Sequence, residues 1–227
     1  MKINYVVPPI HKDKFTGGLL CIFEYLNGLA KRGHEVTVVP TELQGRPQWY
    51  DLQAKIIRPG LLPPKVRLAN NIAAYVAQYR NLDKKKFVYY NHAVESLRIA
   101  GYIPDCDINI ATSYETALPV YLSGQGRKFY FMQHFEQLFV NERMFPDMEK
   151  VIAQESYLLP LQKIANSSWL QAKLESEFGG QVAMVNNAIN LEVFCPHPIK
   201  KDDQKIRILS YGGRNAVWKG FREAAEA

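Results

Sequence analysis

Cysteine is scarce in this chain of 227 residues, and what there is does not pair. Cys21, Cys106 and Cys195 are odd in number and far apart. None has the close neighbour that a zinc site or a redox pair requires, so the thiols are expected to be buried or half-buried in a reducing compartment. His11, His34, His92 and His197 show no metal-ligand spacing either, and no metal site is expected. No apolar stretch approaches the ~18 residues of a membrane span. The start, Met1-Lys2-Ile3-Asn4-Tyr5, reads as a strand and lacks the apolar core and cleavage site of a signal peptide. These absences predict a cytoplasmic protein and leave open peripheral contact with the inner face of a membrane. The three-glycine dinucleotide fingerprint is also missing, which argues against a nicotinamide enzyme. Charge is diffuse: 28 basic and 22 acidic residues give a net +6, and Lys84-Lys85-Lys86 is the one dense basic run. That balance suits an anionic ligand or membrane surface and not nucleic acid.

What is present is alternation. Strand-like runs (Lys2 to Val7, Glu35 to Val39, Asp107 to Ala111, Lys128 to Met132, Lys163 to Ala165, Gln181 to Val185) are short and largely apolar. Between them lie helical patterns. Leu19, Ile22, Phe23, Leu26 and Leu29 follow Gly17-Gly18, and Leu68, Ala69, Ile72, Ala73, Val76 and Ala77 recur at helical spacing. Further helices are predicted over Ala93 to Ala100 and Asp147 to Leu158. Another carries Leu170 and Leu174, capped by Ser167-Ser168 and closed by Gly179-Gly180. Residues 41–65 read as an irregular insertion with one strand candidate, Ala54 to Ile57, and the stretch around Pro119 as a connection ending near Gly124. The pattern predicts an α/β fold, a Rossmann-like parallel sheet with helices on both faces. The polar, proline-containing segment Cys195 to Gln204 marks a boundary. It divides the chain into an N-terminal domain, 1–197, and residues 198–227, a linker with the first strand and helix of a second Rossmann-like domain that is truncated.

Both domain starts carry a device for anions. Ile208-Leu209-Ser210-Tyr211 runs into Gly212-Gly213, then Arg214, with Lys219-Gly220 beyond. A strand, a tight turn and a helix start would there combine converging N–H groups with two fixed cations, a ready place for a phosphate or diphosphate. Thr16-Gly17-Gly18 is the comparable turn after the first strand.

Four stretches, taken in order, resemble the retaining glycosyltransferases of the GT-B fold, in the large group one family (family four). They are the first strand with Gly17-Gly18 and the helix ending Lys31-Arg32-Gly33-His34-Glu35-Val36; Phe131-Met132-Gln133-His134-Phe135-Glu136; Ala165-Asn166-Ser167-Ser168-Trp169 with Asn186-Asn187-Ala188-Ile189-Asn190 and Phe194; and Gly213-Arg214 with Lys219-Gly220. Where such enzymes usually have Asn-Gly-apolar-Asp, this chain has Ala188 for the glycine and Asn190 for the aspartate. The resemblance implies two Rossmann-like domains facing across a cleft, and transfer of a hexose-type sugar from a nucleotide-diphosphate sugar to a glycan or lipid-linked acceptor, as in cell-surface polysaccharide synthesis. It implies no metal and no cofactor beyond the donor substrate. By this likeness His134 is the cleft residue near the transferring sugar. Arg214, Lys219, Gly17 and Gly18 hold the donor diphosphate, and Thr16, Gln133 and Glu136 are further cleft candidates.

The acceptor pocket is expected along the insertion between Pro40 and Pro64. The paired glutamates of the family's second domain are not found before Ala227, so the 227-residue chain by itself is expected to be inactive. Two other readings stand beside this one: a non-catalytic Rossmann-like binding module, and another GT-B relative such as a sugar-nucleotide epimerase.

Overall fold

The computed structural model describes residues 1–79, 84–138, 146–189, 191, 194–196 and 221–226. Among the described residues seven strands form one sheet: β1 (Lys2–Val7), β2 (Glu35–Pro40), β3 (Lys55–Ile56), β4 (Ile108–Ala111), β5 (Arg127–Met132), β6 (Gln162–Ala165) and β7 (Val182–Met184). Their spatial order is β3-β2-β1-β4-β5-β6-β7, and every neighbouring pair is parallel. This is the doubly wound Rossmann-like arrangement that the alternation predicts. Parallel neighbours require crossovers, and helices supply them.

Successive residues of a strand point to opposite faces, and both faces are buried. On one side Ile3, Tyr5 and Val7 of β1 join Ile110 and Phe131. The helix α1 (Gly17–Lys31) covers them with Leu19, Ile22, Phe23 and Leu26, and the insertion adds Leu52 and Ala54. Each of the large side chains fully buried here contributes roughly 1.5–3 kcal/mol. On the other side Val6, Ala111, Tyr130, Met132 and Ala165 meet Ile99, Ala117, Val120, Tyr157, Leu170 and Leu174. Those come from α3 (Lys84–Ala100), α4 (Tyr114–Leu122), α5 (Pro146–Leu158) and α6 (Ser168–Phe178). The helix α2 (Pro64–Tyr79) lies outside these clusters, and Leu68 and Ile72 stay exposed on it.

Two elements differ from the expectation. The helix expected over Ala93 to Ala100 begins nine residues earlier, because Phe87, Val88 and Tyr89 gather with Tyr114, Ile152 and Ala153 in a third apolar cluster. The connection around Pro119 is the helix α4. Pro119 is the sixth helical residue, so it removes one intrahelical bond, and burial of Ala117, Pro119 and Val120 offsets the loss. Thr116 tightens its start, with Oγ1 accepting from the N–H groups of Thr112 (2.9 Å) and Ser113 (3.0 Å).

A row of polar side chains crosses the middle of the sheet. Asn4 lies opposite Thr37 on one side and Asn109 on the other. Thr37 Oγ1 donates to Asn4 Oδ1 at 2.8 Å, Asn4 Nδ2 to Asn109 Oδ1 at 2.9 Å, and Asn109 Nδ2 to Ser123 Oγ at 3.1 Å. Both asparagines are wholly buried.

Residues Met1–Ala188 make one unit and Ile189–Ala227 a second. In the second, α7 (Phe221–Glu226) carries the pair Arg222–Glu226 at 2.8 Å. The boundary expected at 197/198 lies outside the described residues, as does the strand expected over Ile206 to Leu209.

The polar row predicts a specific cost. Asn4→Ala leaves a buried Thr37 hydroxyl and a buried Asn109 carbonyl without partners, so urea unfolding is expected to show a loss of roughly 2 kcal/mol or more. Asn109→Ala made in that background is expected to cost clearly less than Asn109→Ala alone. Additive losses would show that the row is not coupled.

Candidate functional site

In a doubly wound sheet the chain leaves two adjacent central strands toward opposite faces, and a crevice opens at their C-terminal ends. Here those strands are β1, which leads to α1, and β4, which leads to α4. The rim of the crevice is therefore built from residues 8–18, Thr112-Ser113 and, one strand further, Gln133-His134.

The β1–α1 loop is held in place and does not hang free. Ile10 N–H donates to Glu42 O at 2.9 Å, Gln44 N–H to Ile10 O at 3.0 Å, and Gln48 N–H to Lys12 O at 2.9 Å, so the loop pairs with the start of the insertion. His11 Nδ1 and Gln44 Oε1 lie 2.7 Å apart, and Phe15 meets Trp49 edge to face. The loop then delivers Thr16, the N-cap of α1, whose Oγ1 accepts from Leu19 N–H at 3.4 Å. Gly17 has open space where a side chain would stand. Neither Gly17 nor Gly18 has a positive φ, so glycine serves here for access and not for a left-handed turn.

Gln133 Nε2 donates to Gly18 O at 3.1 Å, tying the end of β5 to the first turn of α1. Gln133 and Gly18, far apart in sequence, are thus neighbours. His134 follows and is exposed at the same end of the sheet. Phe135 turns back into the core against Tyr157 and Phe178, with Lys173 Nζ 4.4 Å from its ring centre.

Glu136 opens a short 3-10 turn, Glu136–Leu138, and is half-buried, with its carboxyl set among tyrosines. Tyr130 Oη donates to it, Tyr114 N–H at the start of α4 also bonds it, and Glu136 N–H donates to Tyr157 Oη at 2.7 Å. Burial pushes its pKa up to about 8, against the pull of the Tyr130 and Tyr114 hydrogen bonds. Expected as a cleft group, Glu136 stands among tyrosines and joins three elements: β5, α4 and α5. Sequence reading had no sign of this, because the partners are 6 to 22 residues away.

Beside the crevice, on the side of the insertion, lies a cavity of ≈ 1120 Å³. The segment from Thr41 to Leu62 forms one wall and α3 another. Arg214 and Lys219 lie outside the described residues. Among the described residues no group of three or more His, Cys, Asp or Glu is placed to hold a metal ion, and no helix is long and apolar enough to cross a membrane. Cys21 is half-buried and Cys106 buried. Burial raises the pKa of both thiols, that of Cys106 to about 11. Cys195 departs from the expectation and is exposed.

No protein-family model matches this chain, and no curated protein does. Among solved structures, the chain is similar to sucrose-phosphate synthase from Thermosynechococcus elongatus, with a TM-score of 0.49 and 14% identity over 86% of this chain. It spans 50% of that protein's chain. A shorter chain of the same synthase gives a TM-score of 0.41 and 12% identity, with 85% of this chain and 92% of that one covered. Likenesses this distant concern the path of the chain. They assign no chemistry to it.

The Glu136 carboxyl predicts a pH dependence. With its pKa raised in the folded state, Glu136 binds its proton more tightly folded than unfolded, so its contribution is full below the ordinary carboxyl range. That contribution is lost as pH rises toward about 8. Stability by urea unfolding is expected to fall between pH 5 and pH 9, and Glu136→Gln, which keeps shape and hydrogen bonding, is expected to flatten the fall and exceed the native chain at pH 9. A native slope retained in Glu136→Gln would place its origin elsewhere.

Proposed function

We propose that residues 1–188 form the acceptor-side domain of a retaining glycosyltransferase. It would move a hexose-type sugar from a nucleotide-diphosphate sugar to a glycan or lipid-linked acceptor, in cytoplasmic synthesis of polysaccharide or glycoconjugate. The observation that carries the reading is the meeting of Gly17-Gly18 and Gln133-His134 on one rim of the switch-point crevice. The sequence likeness gives Gly17 and Gly18 to the donor diphosphate, His134 to the transferring sugar and Gln133 to the cleft, and Gln133 meets Gly18 in the fold.

The chemistry follows from the transition state. Departure of a nucleoside diphosphate leaves negative charge, and the reacting sugar takes on oxocarbenium character. In this reading the open start of α1 at Gly17 and Gly18 faces the diphosphate with backbone N–H groups. Arg214 offers a fork of donors and Lys219 a compact charge for the same group. His134 hydrogen-bonds the transferring sugar, with Thr16 beside it. Gln133 acts as a positioning residue through Gly18 O, and Glu136 as another that steadies the turn behind His134. The donor is a substrate, and no metal or cofactor is called for. An acceptor carried on lipid would bring the protein to the membrane face, where exposed Leu61, Leu68 and Ile72 stand near Lys65 and Arg67 in sequence.

The test uses a protein that carries both domains. Arg214→Ala and Lys219→Ala are each expected to lower turnover about a hundredfold or more, the effect of removing one charge-stabilising donor. Near-native turnover in both variants would refute the diphosphate assignment. For His134→Ala, turnover is expected to drop well beyond any change in nucleotide affinity, with the melting temperature kept. A lowered melting temperature with activity intact would make His134 structural.

A further inference from the structure

The outer edge of the sheet, at β7, carries a device that the transfer chemistry does not use. In a parallel ladder, alternate residues of a strand turn their backbone groups toward opposite neighbours. Val185 N–H donates to Ala165 O at 2.9 Å, so Ala183 and Val185 face β6. Val182 and Met184 therefore face away from it, and among the described residues no strand lies on that side. Outward N–H and C=O groups of an edge strand are a template for another strand.

Both outward groups of Val182 are nevertheless taken. Gln171 Nε2 donates to Val182 O at 2.7 Å, and Val182 N–H donates to Glu175 Oε1 at 3.0 Å. Gln171 and Glu175 stand one turn apart on the same face of α6. Together they give a strand residue the donor and the acceptor that an added strand would give it. Just past β7, Tyr25 Oη of α1 donates to Asn186 O at 2.9 Å. Met184 lies between these two closed positions. Among the described residues no hydrogen bond reaches its outward N–H and C=O.

What these side chains screen is apolar. Ala183, Met184 and Val185 are all exposed, Met184 by 46% and Val185 by 43%. A short apolar edge with free backbone groups is complementary to itself: about a twofold axis, two copies of one strand pair antiparallel. Such a ladder needs successive outward residues. Here Val182 is taken on one side and Asn186 O on the other, so the Met184 position alone is left.

We propose that the β7 edge is a surface for β7 of a second copy of this chain, and that Gln171, Glu175 and Tyr25 guard it and hold it shut. The guard is independent of the transferase reading above.

Sedimentation velocity and hydrogen exchange on the 227-residue chain test this, with variants compared at equal concentration. In the native chain the Met184 amide is expected to exchange fast at every concentration. Gln171→Ala/Glu175→Ala is expected to self-associate about tenfold more tightly than the native chain, the worth of a regained backbone hydrogen bond or two. Protection that grows with concentration is expected to appear at Met184 in the same variant. Gln171→Ala alone, which frees only Val182 O, is expected to shift the same way by less, and it serves if the double variant folds poorly. Met184→Pro removes an outward N–H and no bond to β6. Added to either variant, it is expected to restore native sedimentation. A folded Gln171→Ala chain that sediments as the native chain does overturns the proposal. So does association that Met184→Pro leaves in place, or concentration-dependent protection of Met184 in the native chain, which would mean that the edge is already open.

Discussion

The hydrogen-bonded row Thr37–Asn4–Asn109–Ser123 sets the terms for the rest of the molecule. A strand buried on both faces gains from apolar contact whichever way it slides, since a shift by two residues still places apolar on apolar. Polar side chains deep in the sheet remove that freedom, because only one register gives each of them a partner. The row crosses β2, β1 and β4, and β1 and β4 are the strands between which the crevice opens. The relative height of Val7 and Ala111, from which both rim loops depart, is therefore fixed by amide groups well below the surface.

Above that fixed base, each rim element is tied to a neighbour. The β1–α1 loop pairs with the insertion, Gln133 reaches Gly18, and the turn after His134 is anchored by a carboxyl between Tyr130 and the start of α4. Preorganisation of this kind matters for any chemistry in which charge appears during the reaction, since groups already aimed need no rearrangement as the barrier is crossed. The neighbouring cavity follows the same rule, with Arg98 as the tie between two loops.

Much of this was legible in the order of residues. Short, largely apolar runs and period-3.6 stripes located six of the described strands closely and named the seventh, β3, as the candidate Ala54 to Ile57, and the caps at Thr16 and Ser167 are where serine and threonine before an apolar stripe place them. Local signals failed where burial overrode them. Pro119 argues against a helix until its packing on the sheet is known, and the first half of α3 has few apolar residues at helical spacing, so its apolar cluster with Tyr114 and Ile152 had no local trace. Of the candidate site, the rim residues 16–18 and 133–134 could be named from motifs. The role of Glu136 and the staple at Arg98 could not, because each is defined by atoms distant in sequence. The Arg214 and Lys219 pair lies outside the described residues.

The contact between Gly60 and Tyr102 ties two surfaces together. Tyr102 sits in the turn just after α3, whose C-terminal carbonyls receive the N–H groups of Gly101 and Tyr102. The roof of the cavity therefore rests directly on the end of the helix that forms its wall, with Arg98 one turn earlier gripping the same loop. Both grips come from the same end of α3 and meet the loop at one residue, Gly60. Moving the loop at Gly60 therefore disturbs the C-terminal end of α3, where Ile99 packs with Ala117 and Val120 of α4.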